Sequence, residues 1–223
     1  MFIGHYGIAF GLKKLDKVVS LGWLFVAVQM VDIFWTLLVF FGVEKVAIVP
    51  GLTAANPLDF IYYPFTHSVV AFIIWGLVAF IIVYLGHFRS SLTKAKFGLL
   101  IGFAVISHLL LDLIVHRPDI PLASEDSIKF GFGLWNHVAV SYTLEALIFV
   151  GGALIYYKAV DYLTRKRKIA LGAFVIVLLL INLINLIGPP PPDTTTIAVT
   201  GFISYIVFAL FGFWLDRVAK NEL

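Results

Sequence analysis

The sequence contains no cysteine and few charged residues. Without cysteine there is neither a disulfide nor a thiolate ligand, so any bound metal ion would be held by nitrogen and oxygen atoms. Only 13% of the 223 residues are charged, whereas 61% are hydrophobic. A soluble domain of this length could not cover so much apolar surface. The composition therefore predicts an integral membrane protein.

Long apolar runs predict the fold. A helix of about 20 apolar residues crosses a bilayer, and six runs come close to or exceed that length, at residues 20–43, 63–86, 97–115, 134–157, 169–187 and 197–215. Residues 1–12 are too short to cross, and the lysines that follow them reverse the order of a signal peptide. We expect an all-α integral membrane protein with six transmembrane helices plus an N-terminal half-membrane helix, forming one polytopic domain over residues 1–223.

Basic residues are concentrated at one set of predicted helix ends. Of the 16 Lys and Arg, only Lys45, Arg117 and Lys129 fall at the other set. Because cytoplasmic loops are enriched in Lys and Arg, this asymmetry predicts that both termini face the cytoplasm. The net charge of +3 is what such a rim gives, and it requires no nucleic-acid partner. The basic rim comprises Lys13, Lys14, Lys17, Arg89, Lys94, Lys96, Lys158, Arg165, Lys166, Arg167, Lys168, Arg217 and Lys220.

Three carboxylates lie inside the predicted spans, which contain no Lys or Arg. They are Asp32, Asp112 and Glu145. A carboxylate in a low-dielectric environment needs a positive partner or a proton. With basic side chains absent from the spans, a salt-bridged core is excluded. The remaining partners are metal ions, protons or a cationic substrate, which leaves a metalloenzyme or a cation or proton carrier.

The stretch 107–122, SHLLLDLIVHRPDIPL, carries the densest set of candidate ligands. His108, Asp112 and His116 are spaced i, i+4, i+8, which places them along one face of a helix. Neighbours in such a row are about 6 Å apart, close enough to share one cation or two adjacent ones. Asp119 follows, between two prolines that end the helix. Imidazole and carboxylate together are the usual ligands of zinc, iron and manganese.

The other histidines extend this cluster. At about 1.5 Å per helical residue, His5 and His67 fall, with Asp32 and Glu145, between mid-membrane and the outer face. Each histidine alone also fits an ordinary helix-end role, and we interpret His137 as a rim residue. Four other polar or aromatic residues have structural interpretations. Thr66 and Ser68 are expected to cap a helix, Asn182 to bond a neighbouring helix, and Trp135 to belong to the interfacial aromatic belt.

With these motifs laid out, the chain resembles the YdjM-type family of bacterial membrane-bound metal-dependent hydrolases. The likeness covers roughly the first 120 residues. A narrower likeness, to a branch of bacterial inner-membrane proteins, covers almost the whole length through the segments 116–122, 131–136 and 188–192. The first resemblance is carried by His5, Asp32, Thr66-His67-Ser68 and Ser107-His108 with Asp112.

The wider family is similar to the secreted zinc phospholipases C and P1-type nucleases. This resemblance implies a divalent metal, zinc with manganese or iron as alternatives, and a location in the bacterial cytoplasmic membrane. The chain departs from the phospholipase pattern at Ser141, where those enzymes have Glu, although Glu145 stands one turn further on. The ligand order that the resemblance implies is His5, Asp32, His67, His108, Asp112 and His116.

Two classes of function follow. The first is a metal-dependent hydrolase of a phosphoester, either a small molecule or a membrane lipid. In it Asp32, His67, His108 and Asp112 hold one ion, while His5 and His116 share a second through a bridging Asp112. Asp119 or Glu145 would take the proton and Arg117 would orient the substrate.

The alternative is a membrane carrier that uses the same acids and histidines as an ion path. Its marks would be inverted repeats or paired broken helices, and the sequence shows neither. A structural membrane protein with a stabilising metal is a third reading. The oligomeric state is left open by the sequence.

Overall fold

The computed structural model describes residues 1–217, so Lys220 of the predicted basic rim lies outside the described part. Within residues 1–217, nine α-helices and two small sheets follow one another. The helices are α1 Ile3–Leu12, α2 Leu21–Val28, α3 Met30–Phe40, α4 Pro64–His67, α5 Val69–Leu85, α6 Lys94–Val115, α7 Val138–Ala159, α8 Arg165–Ile187 and α9 Thr194–Leu215.

Four helices, α6 to α9, are long and apolar enough to cross a membrane. A fifth span exists if α2 and α3 are counted together, although their axes differ by 54°. The predicted span over 20–43 is thus not one continuous helix, because Gln29 leaves the helical conformation at φ −109°. The remaining predicted span, 63–86, contains α5, which has only 17 residues. The predicted half-helix is α1, and six full spans stay a prediction.

The loops contain β-structure, so the all-α prediction is corrected. Strands β1 (Lys45–Ile48) and β2 (Leu58–Tyr62) pair antiparallel, as do the two-residue strands β3 (Ile120–Pro121) and β4 (Lys129–Phe130). The first hairpin follows α3 directly and leads into α4. It thereby connects two elements that carry candidate ligands, Asp32 on α3 and His67 on α4.

Helix starts are set by short polar side chains. Ser68 accepts a hydrogen bond from the Ala71 N–H at 3.0 Å and begins α5. Asp193 accepts one from the Thr196 N–H at 2.7 Å and begins α9. Thr164 does the same for α8. Such caps satisfy N–H groups that have no partner inside the helix. Ser68 therefore has the capping role that the sequence predicts.

Glycines bring some helices into backbone contact. A methyl group at Gly7 of α1 would collide with the backbone of Ile148, and one at Gly152 of α7 would collide with Gly7. Gly212 of α9 and Gly22 of α2 meet in a similar way. Small residues at such crossings allow close packing, which drives helix association in membranes. The half-helix α1 is docked on α7 by this contact.

We call one end of the bundle the basic end, because Lys17, Arg89 and Arg217 line a common cavity of about 990 Å³ there. The opposite end is the site end. Lys13 closes the basic end of α1, with its ammonium 2.6 Å from Asp216 Oδ2 at the end of α9. The basic residues of three separate loops thus lie at the same end of the bundle, as the charge asymmetry predicts.

Helices α8 and α9 form a V. Near the basic end they meet at Phe174 and Phe211, whose rings stack with centroids 4.3 Å apart. Elsewhere α8 packs on α7, and α9 packs on α2 and α3, with few contacts between α8 and α9 themselves. At the site end the two helices are joined by residues 188–193, GPPPPD. This segment, the proline bridge, closes the top of the V.

Candidate metal centre

The structure brings together all six residues that the sequence proposes as metal ligands. They come from four helices, and all are buried except Asp32, which is half-buried. His116 ends α6 as its C-cap residue, so the row begun by His108 and Asp112 continues past the last helical turn. His87, in contrast, lies at the basic end, and His137 is exposed at the start of α7. The cluster is the set His5, Asp32, His67, His108, Asp112 and His116.

Asp112 is the centre of the cluster. Its Oδ1 lies 3.2 Å from Nε2 of His5, and its Oδ2 lies 3.2 Å from Nε2 of His108. Nε2 of His116 and of His67 are 3.8 and 3.9 Å from the same Oδ2. One carboxylate therefore faces four imidazoles, which is the arrangement of a bridging ligand.

Asp32 completes a second group. Its Oδ1 lies 3.2 Å from Nε2 of His67 and 3.5 Å from Nε2 of His108, and the Tyr205 hydroxyl donates to its other oxygen at 3.1 Å. Two triads have mutually close ligand atoms, all within 4.8 Å of one another, and each could hold an ion. One is Asp32, His67 and His108, and the other is His5, His108 and Asp112.

This partition differs from the one expected from the sequence. His108 belongs to both triads, whereas His116 belongs to neither. The rings of His5 and His108 stack with centroids 3.7 Å apart, so these two nitrogen donors reach the carboxylates side by side. An imidazole nitrogen binds one ion at a time. The two triads are therefore alternative positions for an ion bound to Nε2 of His108.

The outward nitrogens of three histidines are committed as donors. Nδ1 of His108 lies 2.7 Å from the Val28 carbonyl, and Nδ1 of His116 lies 2.9 Å from Asp119 Oδ1. A carbonyl and a carboxylate only accept, so both nitrogens carry the proton. Nδ1 of His67 lies 2.8 Å from the Thr66 hydroxyl. That hydroxyl donates to Glu44 Oε2 at 2.6 Å, so it accepts from His67.

The inward nitrogens therefore present lone pairs to carboxylate oxygens. Two acceptors at 3.2 Å repel one another unless a cation or a proton lies between them. Neither nitrogen of His5 nor Nε2 of His108 has a hydrogen-bond partner in the described residues, although all three are buried. Buried polar atoms are rarely left unpaired. Metal-binding histidines usually donate their second N–H to a carboxylate or carbonyl, so this donor set fits a divalent cation.

Helix ends supply positive charge that the sequence argument missed. Glu145 Oε2 accepts the Phe2 and Ile3 N–H groups at 2.8 and 3.0 Å and so caps α1. Asp32 stands in the first turn of α3. The positive end of a helix dipole stabilises such carboxylates. The amino nitrogen of Met1 also lies 2.5 Å from Asp112 Oδ1. A count of Lys and Arg alone therefore missed positive partners of these carboxylates, and it did not suffice to exclude a salt-bridged core.

Two proposed catalytic residues have other roles in the structure. Asp119 accepts from His116, from the Tyr63 hydroxyl at 3.0 Å and from Arg117 Nε at 3.2 Å, so it orients His116. Arg117 is held between Asp119 and Asp59. Arg117 does not line the cavity described below.

Several residues near the cluster had been assigned ordinary structural roles. Trp135 is buried with its ring 4.3 Å from that of His116, so it is not an interfacial belt residue. Thr66 links His67 to Glu44 and does not cap a helix. Nothing in the sequence connects Glu44 or Tyr63 to the cluster, because the contacts are made by the fold of the β1–β2 hairpin.

A cavity of about 550 Å³ opens beside the cluster. Asp32, Asp112 and Glu145 lie at its polar end, one side is formed by the β1–β2 hairpin and its loop, and another by residues of α8, α9 and the proline bridge. Trp35 Nε1 and Asn182 Nδ2 belong to its lining and have no hydrogen-bond partner in the described residues. Asn182 therefore does not make the helix–helix bond expected of it. Both groups are donors available to a ligand.

The chain matches no family model, no curated protein and no solved structure.

Proposed function

We propose that this protein is a membrane-embedded, metal-dependent hydrolase of phosphoesters. The observation that carries the proposal is the orientation of His67, His108 and His116, each with Nδ1 donating outward and Nε2 directed at Asp32 or Asp112. The resemblance of the His and Asp order to the zinc phospholipases C supports the choice of reaction. Zinc suits the donor set of imidazole and carboxylate, and manganese and iron are alternatives.

Different residues of the centre have different proposed roles. His5, His67 and His108 with Asp32 and Asp112 would hold the ions. When bound, such ions acidify water and offset negative charge on phosphoryl oxygens. His116 faces Asp112 and is fixed by Asp119.

The cavity offers a phosphoester two hydrogen-bond donors and a carboxylate that can take up or give a proton. Trp35 Nε1 and Asn182 Nδ2 donate to phosphoryl oxygens, which are strong acceptors. Glu145 lines the cavity and uses Oε2 to cap α1, while its Oε1 takes no part in the cap. That oxygen is positioned to receive a proton from water or to hold one for the leaving group.

Metal content and turnover together test the proposal. Purified protein is analysed for zinc, manganese and iron per chain, and it is assayed for phosphate-bearing products on a panel of phospholipids and soluble phosphodiesters. We expect tightly bound metal and metal-dependent turnover on the panel. Protein without tightly bound metal and without turnover would refute the hydrolase.

A carrier is the second candidate, and one observation favours it. The break between α2 and α3 lies three residues before Asp32, and α1 is a half-helix that begins at the same cluster. Broken helices of this kind form ion and substrate sites in transporters. Ion-driven flux in proteoliposomes, with no hydrolysis on the panel, would establish the carrier instead.

A further inference from the structure

The open side of the cavity lies between α8 and α9. We call this opening the α8–α9 portal and define it by Ile184 and Asn185 on α8 and Thr200, Gly201 and Ser204 on α9, all of which line the cavity. Ile184 is 62% exposed although it lines the cavity. The cavity therefore reaches the lateral surface of the bundle through the portal.

Packing keeps the portal open. The rings of Phe174 and Phe211 hold the two helices together near the basic end, and a second contact joins Phe174 to Phe208. Toward the site end, α9 follows α3, where Tyr205 bonds Asp32. Helix α8 follows α7 instead, where the Tyr142 hydroxyl contacts the Leu179 carbonyl. The helices thus diverge because each is held by a different neighbour.

The proline bridge fixes this separation. Consecutive prolines adopt the polyproline II conformation, which rises about 3.1 Å per residue and resists bending. Four prolines therefore act as a spacer of about 12 Å between the ends of α8 and α9. Pro189 and Pro191 also line the cavity. A flexible loop of the same length would let the helices close.

Polarity falls from the cluster to the lateral surface of the bundle. Asp32, Asp112 and the unpaired Asn182 Nδ2 lie at the inner end, and the portal combines the uncharged polar residues Asn185, Thr200 and Ser204 with Ile184 and the neighbouring Ile197. Beyond it stand exposed apolar residues of the span-like helices, such as Leu180 and Ile203, each 54% exposed. A ligand that fits this gradient has a polar, acceptor-rich head and an apolar tail.

We propose that the portal admits a membrane phospholipid, whose phosphoryl group lies against the metal centre while its acyl chains pass between α8 and α9 into the bilayer. The position of the head group rests on the proposed function, whereas lipid occupancy of the portal does not. The substrate class is thereby a bilayer-resident phosphodiester, delivered sideways from the membrane.

The test is photo-crosslinking in vesicles of phosphatidylethanolamine and phosphatidylglycerol. The probe is a phosphatidylglycerol with a diazirine near the carboxyl end of one acyl chain, and labelled residues are mapped by mass spectrometry. Two variants fill the portal, Ile184→Trp and Thr200→Trp. Two controls, Leu180→Trp and Ile203→Trp, place the same side chain at exposed positions of α8 and α9 that do not line the cavity.

We expect labelling of α8 and α9 at the portal to fall about tenfold or more in both portal variants, because overpacking a filled site is strongly unfavourable. The controls should label as the unmodified protein does. Equal labelling in all four variants would overturn the portal. So would labelling that disappears as the protein-to-lipid ratio rises, since a second copy of the chain would then cover this face.

A second probe separates the portal from the chemistry. A diacylglycerol with the same diazirine lacks the phosphoryl group, and we expect it to label the portal less than the phosphatidylglycerol does in metal-loaded protein. Chelation should remove that preference. Portal labelling with no bound metal and no turnover would refute the hydrolase and leave the portal. Turnover without portal labelling would refute the portal and leave the hydrolase.

Discussion

A histidine that donates one ring N–H to a fixed acceptor has its other nitrogen aimed by the protein. In His108 the acceptor is the Val28 carbonyl, and in His116 it is Asp119. The inward nitrogens converge on Asp112, whose charge lies between the two triads and would offset repulsion between two neighbouring cations. The chemistry of the site should therefore be most sensitive to this carboxylate.

Asp112→Asn keeps the shape of the side chain and removes its charge. We expect the protein to lose about one bound ion per chain or more, because an amide is a poor bridging ligand, and we expect hydrolysis to fall by orders of magnitude. The measurement is metal per chain by mass spectrometry beside turnover. Asp126→Asn, at an exposed loop position, is the control and should change neither. Full metal content in Asp112→Asn would contradict the assignment.

Asp119 acts through His116. Asp119→Ala should weaken metal affinity about 10- to 100-fold, the usual effect of removing an outer carboxylate of a metal site, because His116 would lose its orientation toward Asp112. A titration with a competing chelator measures this affinity. Asp59→Ala removes the other acidic partner of Arg117 and should leave the affinity within about threefold. If both variants behave alike, Asp119 serves only to hold Arg117.

At this scale the sequence predicts part of the centre. The row of His108, Asp112 and His116 is predictable because a helix places such residues on one face. The hydrogen bonds that link Glu44 through Thr66 to His67 are not predictable, since they depend on how the β1–β2 hairpin returns to α4. The contacts of Arg117 with Asp59 and of Asp119 with Tyr63 could not be predicted for the same reason.

Among the elements, α1 depends on the glycine contact with α7. Gly152→Ala should lower stability by about 1–3 kcal/mol, because its methyl group would enter the backbone of Gly7. Adjacent Gly151 has open space beside it, so Gly151→Ala should be neutral or slightly stabilising. Thermal unfolding in detergent measures both. Metal content should fall in Gly152→Ala and not in Gly151→Ala, since α1 carries His5. Equal stability and metal content of the two variants would contradict the docking of α1 on α7.

The loop after α1 gives a pH dependence. Burial raises the pKa of Asp16, but hydrogen bonds from Ser90 and Ser91 outweigh it and hold the pKa below its ordinary value. A depressed acid pKa stabilises the fold above the unfolded-state value, and this stability is lost as pH falls below about 4. Asp16→Asn should remove that part of the acid sensitivity. Thermal unfolding between neutral and acidic pH measures it, and an unchanged profile would contradict the prediction.

Element types were largely predictable, and their interruptions were not. The apolar runs give α6 to α9 within a few residues. The break at Gln29 has no proline or glycine to mark it, so periodicity alone predicts one straight helix. The short strands escaped prediction for a different reason: β1 and β2 have only four and five residues, too few for an alternating pattern to stand out.

For the whole molecule, the remaining prediction is orientation in the membrane. Single cysteines can be placed in this cysteine-free chain without background. A cysteine at Arg165 should react only after the membrane is permeabilised, whereas one at Asp126 should react with an impermeant maleimide from outside, as the basic rim predicts. Mass-tagging on gels measures both. Labelling of position 165 in intact cells would reverse the orientation and the sidedness of the site.

The docking of α1 on α7 also imposes an order on biosynthesis. The ribosome makes residues 3–12 first, yet Glu145 and Gly152, which cap and seat that helix, follow on the order of ten seconds later at typical translation rates. Until then α1 has neither its cap nor its seat, so His5 is not fixed beside His108 and Asp112. The triad of Asp32, His67 and His108 needs neither α1 nor α7 and is made earlier. Assembly of the triad that contains His5 is thereby deferred until α7 has been made.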